Sequence, residues 1–425
     1  MAGLRRNLRR VDVLALTINV IVGAGVFAMP SAVTAAAGRY SLLVLLAAFV
    51  IVALLALCLV EVASRYDVTG GPPVYAADAF GPLAGFVVGW LLALSRMAAF
   101  AAIATIMLDY AAALLPALEV RGIRNAALTL FVVILAAVNL RGVSQGARFG
   151  NLLTLAKLLP LLPVAAAGLW LAGWQSLPEA TPTGTAALGQ ALLLALFACF
   201  GFEQAAVVAG EMRDPRRDLP VSILGGVAIA GVLYALLLLA CFATVPNLGS
   251  STRPIADAAE ALTGPLGGTI IVAAAVFSCA GGLAGAMLVA PRILYALGRS
   301  GDLPGVLAAV HPTHGTPQVA IIVMACGSWL LAVTGTFVYI TTVFVIARIL
   351  TYGSTCAALL VLRKRDGSAP VPIPGGPVIA VLALACCVGV IASTSLVAVR
   401  DVAIALAAGL LLRALVHRRA SATGA

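Results

Sequence analysis

Long apolar runs fix the surroundings of this chain before any motif is considered. About twelve can be read along the 425 residues, at 11–37, 40–63, 83–114, 124–140, 149–173, 187–212, 219–246, 267–297, 317–335, 338–362, 377–396 and 399–416. A helix needs roughly 20 apolar residues to cross a bilayer. Each run is too long for a strand, and none alternates as a transmembrane β-strand must. With 62% hydrophobic and 10% charged residues and a mean hydropathy of +1.11, the chain lies far outside the soluble globular range. The fold class expected is an all-α polytopic membrane protein of about 12 transmembrane helices. The loops are too short to fold by themselves, so 1–425 is read as a single integral domain.

Charge supports this reading and removes another. A net charge of +10 suggests nucleic acid in a soluble protein, but here the basic residues sort by side of the membrane. With the N-terminus in the cytoplasm, eighteen of the 26 basic residues fall inside, five fall outside (Arg39, Arg121, Arg124, Arg253 and Arg400) and three lie within spans. That asymmetry is the positive-inside pattern and predicts cytoplasmic termini in a multi-pass plasma or inner membrane protein, with lipid and no nucleic acid as partners. The first run follows Arg5 to Arg10 and is too long for a signal-peptide core, so it is expected to remain as a span. The eight cysteines sit in apolar runs without zinc-type spacing; they read as small hydrophobes, and no metal or cofactor is expected. Cys199 is set apart by its neighbours.

The first run contains Val22-Gly23-Ala24-Gly25-Val26-Phe27. Glycine costs about 1 kcal/mol per position inside a helix. Backbone released at mid-membrane must be buried in protein or line a cavity, because lipid offers it no partner. A helix broken there is a candidate binding site. The sixth run repeats the feature, with Gly201 and a charged Glu203 inside Leu196 to Ala205. Five crossings invert the topology, so the first and sixth spans open two inverted repeats, 11–175 and 187–363, with 377–416 as two additional helices. Two connections also have content. Thr69 to Tyr75 and Ala76 to Phe80 read as a turn and a short interfacial helix. Ile255 to Leu262 forms a helical pattern inside a proline-rich external loop, read as a lid or a plain connection.

These motifs resemble those of the amino acid-polyamine-organocation (APC) transporters. Gly23-Ala24-Gly25-Val26-Phe27 with Pro30 is similar to that family's G-S/A-G-I/V-F…P signature. Phe200-Gly201-Phe202-Glu203, continuing through Ala209 to Pro215 and Leu219-Pro220, resembles its second signature. Arg292 to Pro304 resembles the end of its eighth helix. The resemblance implies a five-plus-five inverted repeat with discontinuous helices 1 and 6, and a central α-amino acid site. It implies substrate contacts at Ile21, Gly23, Ala24, Gly25, Phe197, Cys199, Phe200, Gly201, Phe202 and Glu203. A second half-helix beginning near Gly25 would aim its free N–H groups and positive dipole end at a carboxylate. Carbonyls near Ile21, Phe197 and Phe200 would accept from the ammonium. Ala24 replaces a serine often found there, removing one side-chain donor.

Lys157 lies inside the fifth span, where an ammonium costs at least about 2.5 kcal/mol. It is one of two lysines in a chain whose other basic residues are arginine. Arginine keeps its proton, whereas a buried lysine can release one. The resemblance implies a proton-coupled relative, so Lys157 is read as the proton carrier; the alternative is a lysine snorkelling from the helix start near Asn151. Glu203 is read either as a gating, pH-responsive carboxylate or as a tie between the broken helix and a neighbour. Phe197 and Phe202 are candidate aromatic gates or core packing. Arg96, Asp109 and Arg348 are intramembrane charges expected in structural ion pairs, with Arg96 alternatively at a cavity mouth. His311 and His314 read as loop residues. The function implied is secondary amino acid transport, proton-coupled by alternating access, with exchange as the alternative. An intramembrane enzyme would need paired aspartates or a serine–histidine set within the spans, and a receptor would leave the broken helices without a purpose.

Overall fold

The computed structural model describes residues 9–66, 71–141, 146–171, 184–207, 212 and 214–422. Among these every regular element is helical. In chain order they are α1 (Arg10–Ile21), α2 (Gly25–Ala37), α3 (Ser41–Ala63), α4 (Pro72–Phe80), α5 (Pro82–Ala112), α6 (Arg121–Leu140), α7 (Gly146–Leu171), α8 (Thr185–Cys199), α9 (Gln204–Val207), α10 (Pro215–Thr244), α11 (Pro254–Thr263), α12 (Pro265–Val289), α13 (Pro291–Arg299), α14 (Gln318–Thr334), α15 (Phe337–Asp366), α16 (Gly376–Ala392) and α17 (Leu396–Ala422). Among the described residues, seven helical stretches are long and apolar enough by themselves to cross a membrane. The elements follow the twelve runs in order. Two runs, the first and the sixth, are each divided into two helices, and the eighth is cut at Pro291 into α12 and α13.

Boundaries follow local chemistry. Arg9 N–H donates to the Asp12 carboxylate at 2.9 Å, capping the start of α1. Gly71 takes φ +66° directly before Pro72, the first residue of α4. The short helix expected here therefore starts four residues earlier than read from the sequence, because proline is well suited to a helix's first turn; Thr69 and Gly70 lie outside the described residues. The helix α11 falls within one residue of its expected bounds.

The chain forms two compact units. One comprises Met1–Val88, Ala165–Ser251 and Arg348–Thr394. In it α1 packs along α10 and against α9, α2 packs along α8, and α3 packs against α8, α10 and α16. Close approach depends on small residues: a Cβ on Gly226 of α10 would lie 2.5 Å from Thr17 Cγ2. At the end of α3, the fully buried Glu61 accepts from Arg363 Nε and Nη2 and from Ile373 N–H. Nearby, Arg365 and the Tyr66 hydroxyl both donate to Asp78. These donors hold the Asp78 carboxyl below the usual carboxylate range, Arg365 contributing most.

The other unit comprises Gly89–Val164, Thr252–Ala347 and Ser395–Ala425. Here α14 packs on α6, with Trp329 Nε1 donating to Thr129 Oγ1 at 2.8 Å. Trp90 Nε1 of α5 donates to the Ala405 carbonyl of α17 at 2.8 Å. Asp109 and Arg124 form the ion pair expected for Asp109, at 2.7 Å.

Candidate functional site

The break in the first span is three residues long. Val22 takes φ −75° and ψ 60°, and Gly23 N–H closes on the Ile21 carbonyl at 2.7 Å. This is an inverse γ-turn, which ends α1 and turns the chain without a full helical turn. The helix restarts at Gly25, with Phe27 N–H bonded to the Ala24 carbonyl at 3.1 Å. The N–H groups of Gly25 and Val26 lie in the first turn of α2, where a helix provides no acceptor. Both residues are buried.

The break in the sixth span lies against it. After Cys199 the chain is extended at Phe200 (φ −79°, ψ 155°), and Gly201 takes φ +131°, a region that favours glycine. The helix resumes at Gln204, whose N–H donates to the Gly201 carbonyl at 3.1 Å. Two glycines permit the close approach. A Cβ on Gly25 would stand 2.7 Å from Ala198 Cα, and one on Gly201 would stand 2.8 Å from Val20 Cγ1. The residues named from the sequence, from Ile21 to Gly25 and from Phe197 to Glu203, are thus gathered at one locus. Residues 208–211 and 213, which fall within the second signature motif, lie outside the described residues.

A residue that the sequence did not single out ties the locus together. Tyr234, fully buried on α10, places its hydroxyl 2.7 Å from the Ile21 carbonyl and 3.1 Å from the Ala198 carbonyl. One O–H proton thus serves the frayed ends of both spans. The Ile21 carbonyl, expected to meet an ammonium, already accepts from Gly23 N–H and from Tyr234. Both of its lone pairs are engaged, because the γ-turn folds it back into the protein. A tyrosine in an apolar helix carries no sequence signal distinguishing it from core packing, and only the fold brings it between the two breaks.

Glu203 is 2% exposed and fully engaged. Arg348 Nη1 donates to one carboxylate oxygen and the Tyr352 hydroxyl to the other, each at 2.6 Å. The ion pair expected for Arg348 is therefore made with Glu203. Tyr352 also stacks on Phe202 and meets Phe200 edge-on, each at 5.1 Å between ring centres. Phe202, fully buried in that stack, has a packing environment; Phe197 retains 8% exposure and Cys199 none. The geometry around Glu203 matches the tie to a neighbouring helix, because α15 takes both oxygens.

Lys157 belongs to the other unit, on α7, and is 7% exposed. Its ammonium lies within electrostatic reach of Cys279 on α12. Arg96, on α5, is half-buried. His311 and His314 stack in a loop, with His311 Nδ1 accepting from the Thr313 and His314 N–H groups. Among the described residues no group of three His, Cys, Asp or Glu side chains is arranged to hold a metal ion.

Comparison with known proteins gives this geometry a context. The family model described as amino acid permease matches residues 8–406. The chain is 28% identical over 343 residues to the serine/threonine exchanger SteT of Bacillus subtilis, covering 75% of this chain and 74% of that protein. It is 25% identical to the methylthioribose transporter of the same organism, over 90% of this chain and 87% of that one. To the branched-chain amino acid permease BcaP, also of B. subtilis, it is 28% identical over 98% of this chain and 94% of the relative. These relatives are transporters, not enzymes. Two broken membrane helices joined at their breaks, in a chain matched by the family model over nearly its whole length, make this protein a member of the amino acid permease family.

Proposed function

We propose that the protein is a secondary transporter that takes up an α-amino acid across the plasma or inner membrane by alternating access, coupled to protons, with both termini cytoplasmic. The observation that carries the reading is the meeting of the two breaks, where Gly25 abuts Ala198 and Gly201 abuts Val20. The first-turn N–H groups of α2 then suit the substrate carboxylate, helped by the positive end of the helix dipole. The ammonium is assigned to carbonyls released at the end of α8, near Phe197 and Phe200. Gly23, Ala24 and Cys199 line the same locus, while Ile21 and Glu203 shape it through their internal bonds. Repeats 11–175 and 187–363, with 377–416 outside them, give the two breaks equivalent places in the two halves.

In this reading Lys157 carries the coupled proton. Its support is a nearly buried ammonium in an apolar helix, in a chain with only one other lysine. A second reading, exchange of one amino acid for another, is favoured by the similarity to a relative named as a serine/threonine exchanger. Uptake by purified protein in liposomes separates the two. A panel of labelled amino acids is offered with and without an inward proton gradient, and then with amino acid preloaded inside. Gradient-driven accumulation into empty liposomes that is lost in Lys157→Ala supports symport. Uptake that needs preloading and ignores the gradient supports exchange, and uptake of no amino acid refutes both.

A further inference from the structure

The unit that carries both breaks holds very little charge away from its helix ends. Over residues 13–38, 41–60, 185–207, 219–244, 348–362 and 376–392, which make up most of its helices, the only charged side chains are Glu203 and Arg348. These two cancel at contact distance. Arg348 Nη1 lies 2.6 Å from Glu203 Oε1, with the side chains 3% and 2% exposed, and the Tyr352 hydroxyl donates to Oε2 at 2.6 Å. Glu203 stands two residues after Gly201 and directly before Gln204, where the helix resumes, so the pair adjoins the sixth-span break. A lone buried carboxylate there would draw a cationic group, and a lone guanidinium an anionic one. Bonded to each other, they offer a substrate neither charge. A zwitterion with an uncharged side chain brings opposite charges that backbone N–H and carbonyl groups can meet. A charged side chain adds an ion to which these helices give no counter-ion.

We propose that the Glu203–Arg348 pair makes the site selective for amino acids of zero net charge, excluding cationic and dicarboxylic ones alike. This substrate class rests on the transport reading, since it concerns the same site. Each member of the pair sets specificity by cancelling the other, so removing one leaves its partner's charge facing the break. Arginine keeps its proton whatever its surroundings. Glu203→Gln therefore leaves a permanent cation beside Gly201, and Arg348→Met leaves the carboxylate without that guanidinium.

The test measures affinities of full-length purified protein for a panel of amino acids with uncharged side chains, and for aspartate, glutamate, lysine and arginine. In wild type the tightest ligand should be uncharged in its side chain, with the four charged ones at least about 100-fold weaker, the least that burying an ion without a counter-ion costs. In Glu203→Gln, aspartate and glutamate should gain at least about tenfold relative to that ligand, and in Arg348→Met lysine and arginine should gain as much. A tie that is only structural would weaken all ligands together and leave these ratios unchanged. Glu203→Gln/Arg348→Met removes both charges, leaves neither partner buried alone and should keep the wild-type ratios, which serves where a single variant does not fold. A charged amino acid that binds wild type as tightly as the best uncharged one overturns the substrate class and leaves the transport reading intact. Unchanged ratios in a folded single variant, or a charged preference in the double variant, overturn the role of the pair. Binding of no amino acid at all ends the transport reading and this proposal with it. If no variant folds, the wild-type panel still decides the substrate class.

Discussion

Tyr234→Phe removes one hydroxyl from the centre of the site and leaves the ring, including its edge-on contact with Phe49 at 5.8 Å between centres. The hydroxyl sits 2.7 Å from the Ile21 carbonyl and 3.1 Å from the Ala198 carbonyl. A hydrogen bond of this kind contributes about 0.5–1.5 kcal/mol net, and a buried carbonyl left without a partner costs about 1–3 kcal/mol. The Ile21 carbonyl keeps its bond from Gly23 N–H at 2.7 Å, so the larger loss falls on Ala198. An overall cost of about 1–2 kcal/mol follows, roughly 5- to 30-fold in an equilibrium constant. The hydroxyl bridges the two breaks, so in the proposed site substrate affinity should fall, by up to that factor, through a smaller competent population. Titration calorimetry in detergent with the best substrate, beside thermal unfolding without ligand, reads both effects. Wild-type affinity together with wild-type stability in Tyr234→Phe would refute the clamp.

Gly201→Ala forces a side chain onto φ +131° and against Val20 Cγ1 at 2.8 Å; strain and overpacking of about 1–3 kcal/mol each should abolish uptake in liposomes. Glu203→Gln keeps the shape but weakens the bonds to Arg348 and Tyr352; truncating one member of a buried ion pair costs about 3–5 kcal/mol, with the amide at or below the lower end, and should appear as a lowered melting temperature. Glu61→Ala should be at least as damaging in the same assay, since it leaves Arg363 and the Ile373 N–H facing a hole. Asp78, whose carboxyl is held below its ordinary range by Arg365 and Tyr66, contributes stability above that range and loses it as pH falls through the lowered value. The small melting difference between wild type and Asp78→Asn should therefore be constant from about pH 8 to 5 and vanish only below about pH 4.

The helices were legible in the sequence because hydropathy acts over whole runs, and the two breaks because Gly23, Gly25 and Gly201 stand in the motifs that carry the family resemblance; a glycine alone marks no stop, since Gly226 lies inside the unbroken α10. The cut at Pro291 and the start of α4 at Pro72 were not placed, since proline marks a boundary to within a few residues only. Within the site, Gly25 and Gly201 were read correctly as residues where the helices stop or restart. Their partners Ala198 and Val20 were not foreseen, because close approach is a property of the packed pair. Charges in membrane runs announced that partners exist, and Asp109 and Arg348 found them in Arg124 and Glu203. Which partner each would take depends on helix rotation, which no periodicity in a uniformly apolar segment records. Tyr234, Tyr352 and Glu61 near the end of α3 carry no distinguishing sequence signal for the same reason.

The central claim is that an amino acid binds at the meeting of the two breaks. Ligand-induced thermal stabilisation of wild type and Gly25→Ala across an amino acid panel tests it most directly. A ligand at about 100 times its Kd stabilises by about 2.7 kcal/mol, enough to raise the melting temperature measurably. A Cβ at residue 25 would press on Ala198 Cα at 2.7 Å, against backbone that no rotamer change can move. Stabilisation of wild type by at least one amino acid, absent in a folded Gly25→Ala, is the predicted result. An equal shift in both proteins, or no shift of wild type with any amino acid, would contradict the account.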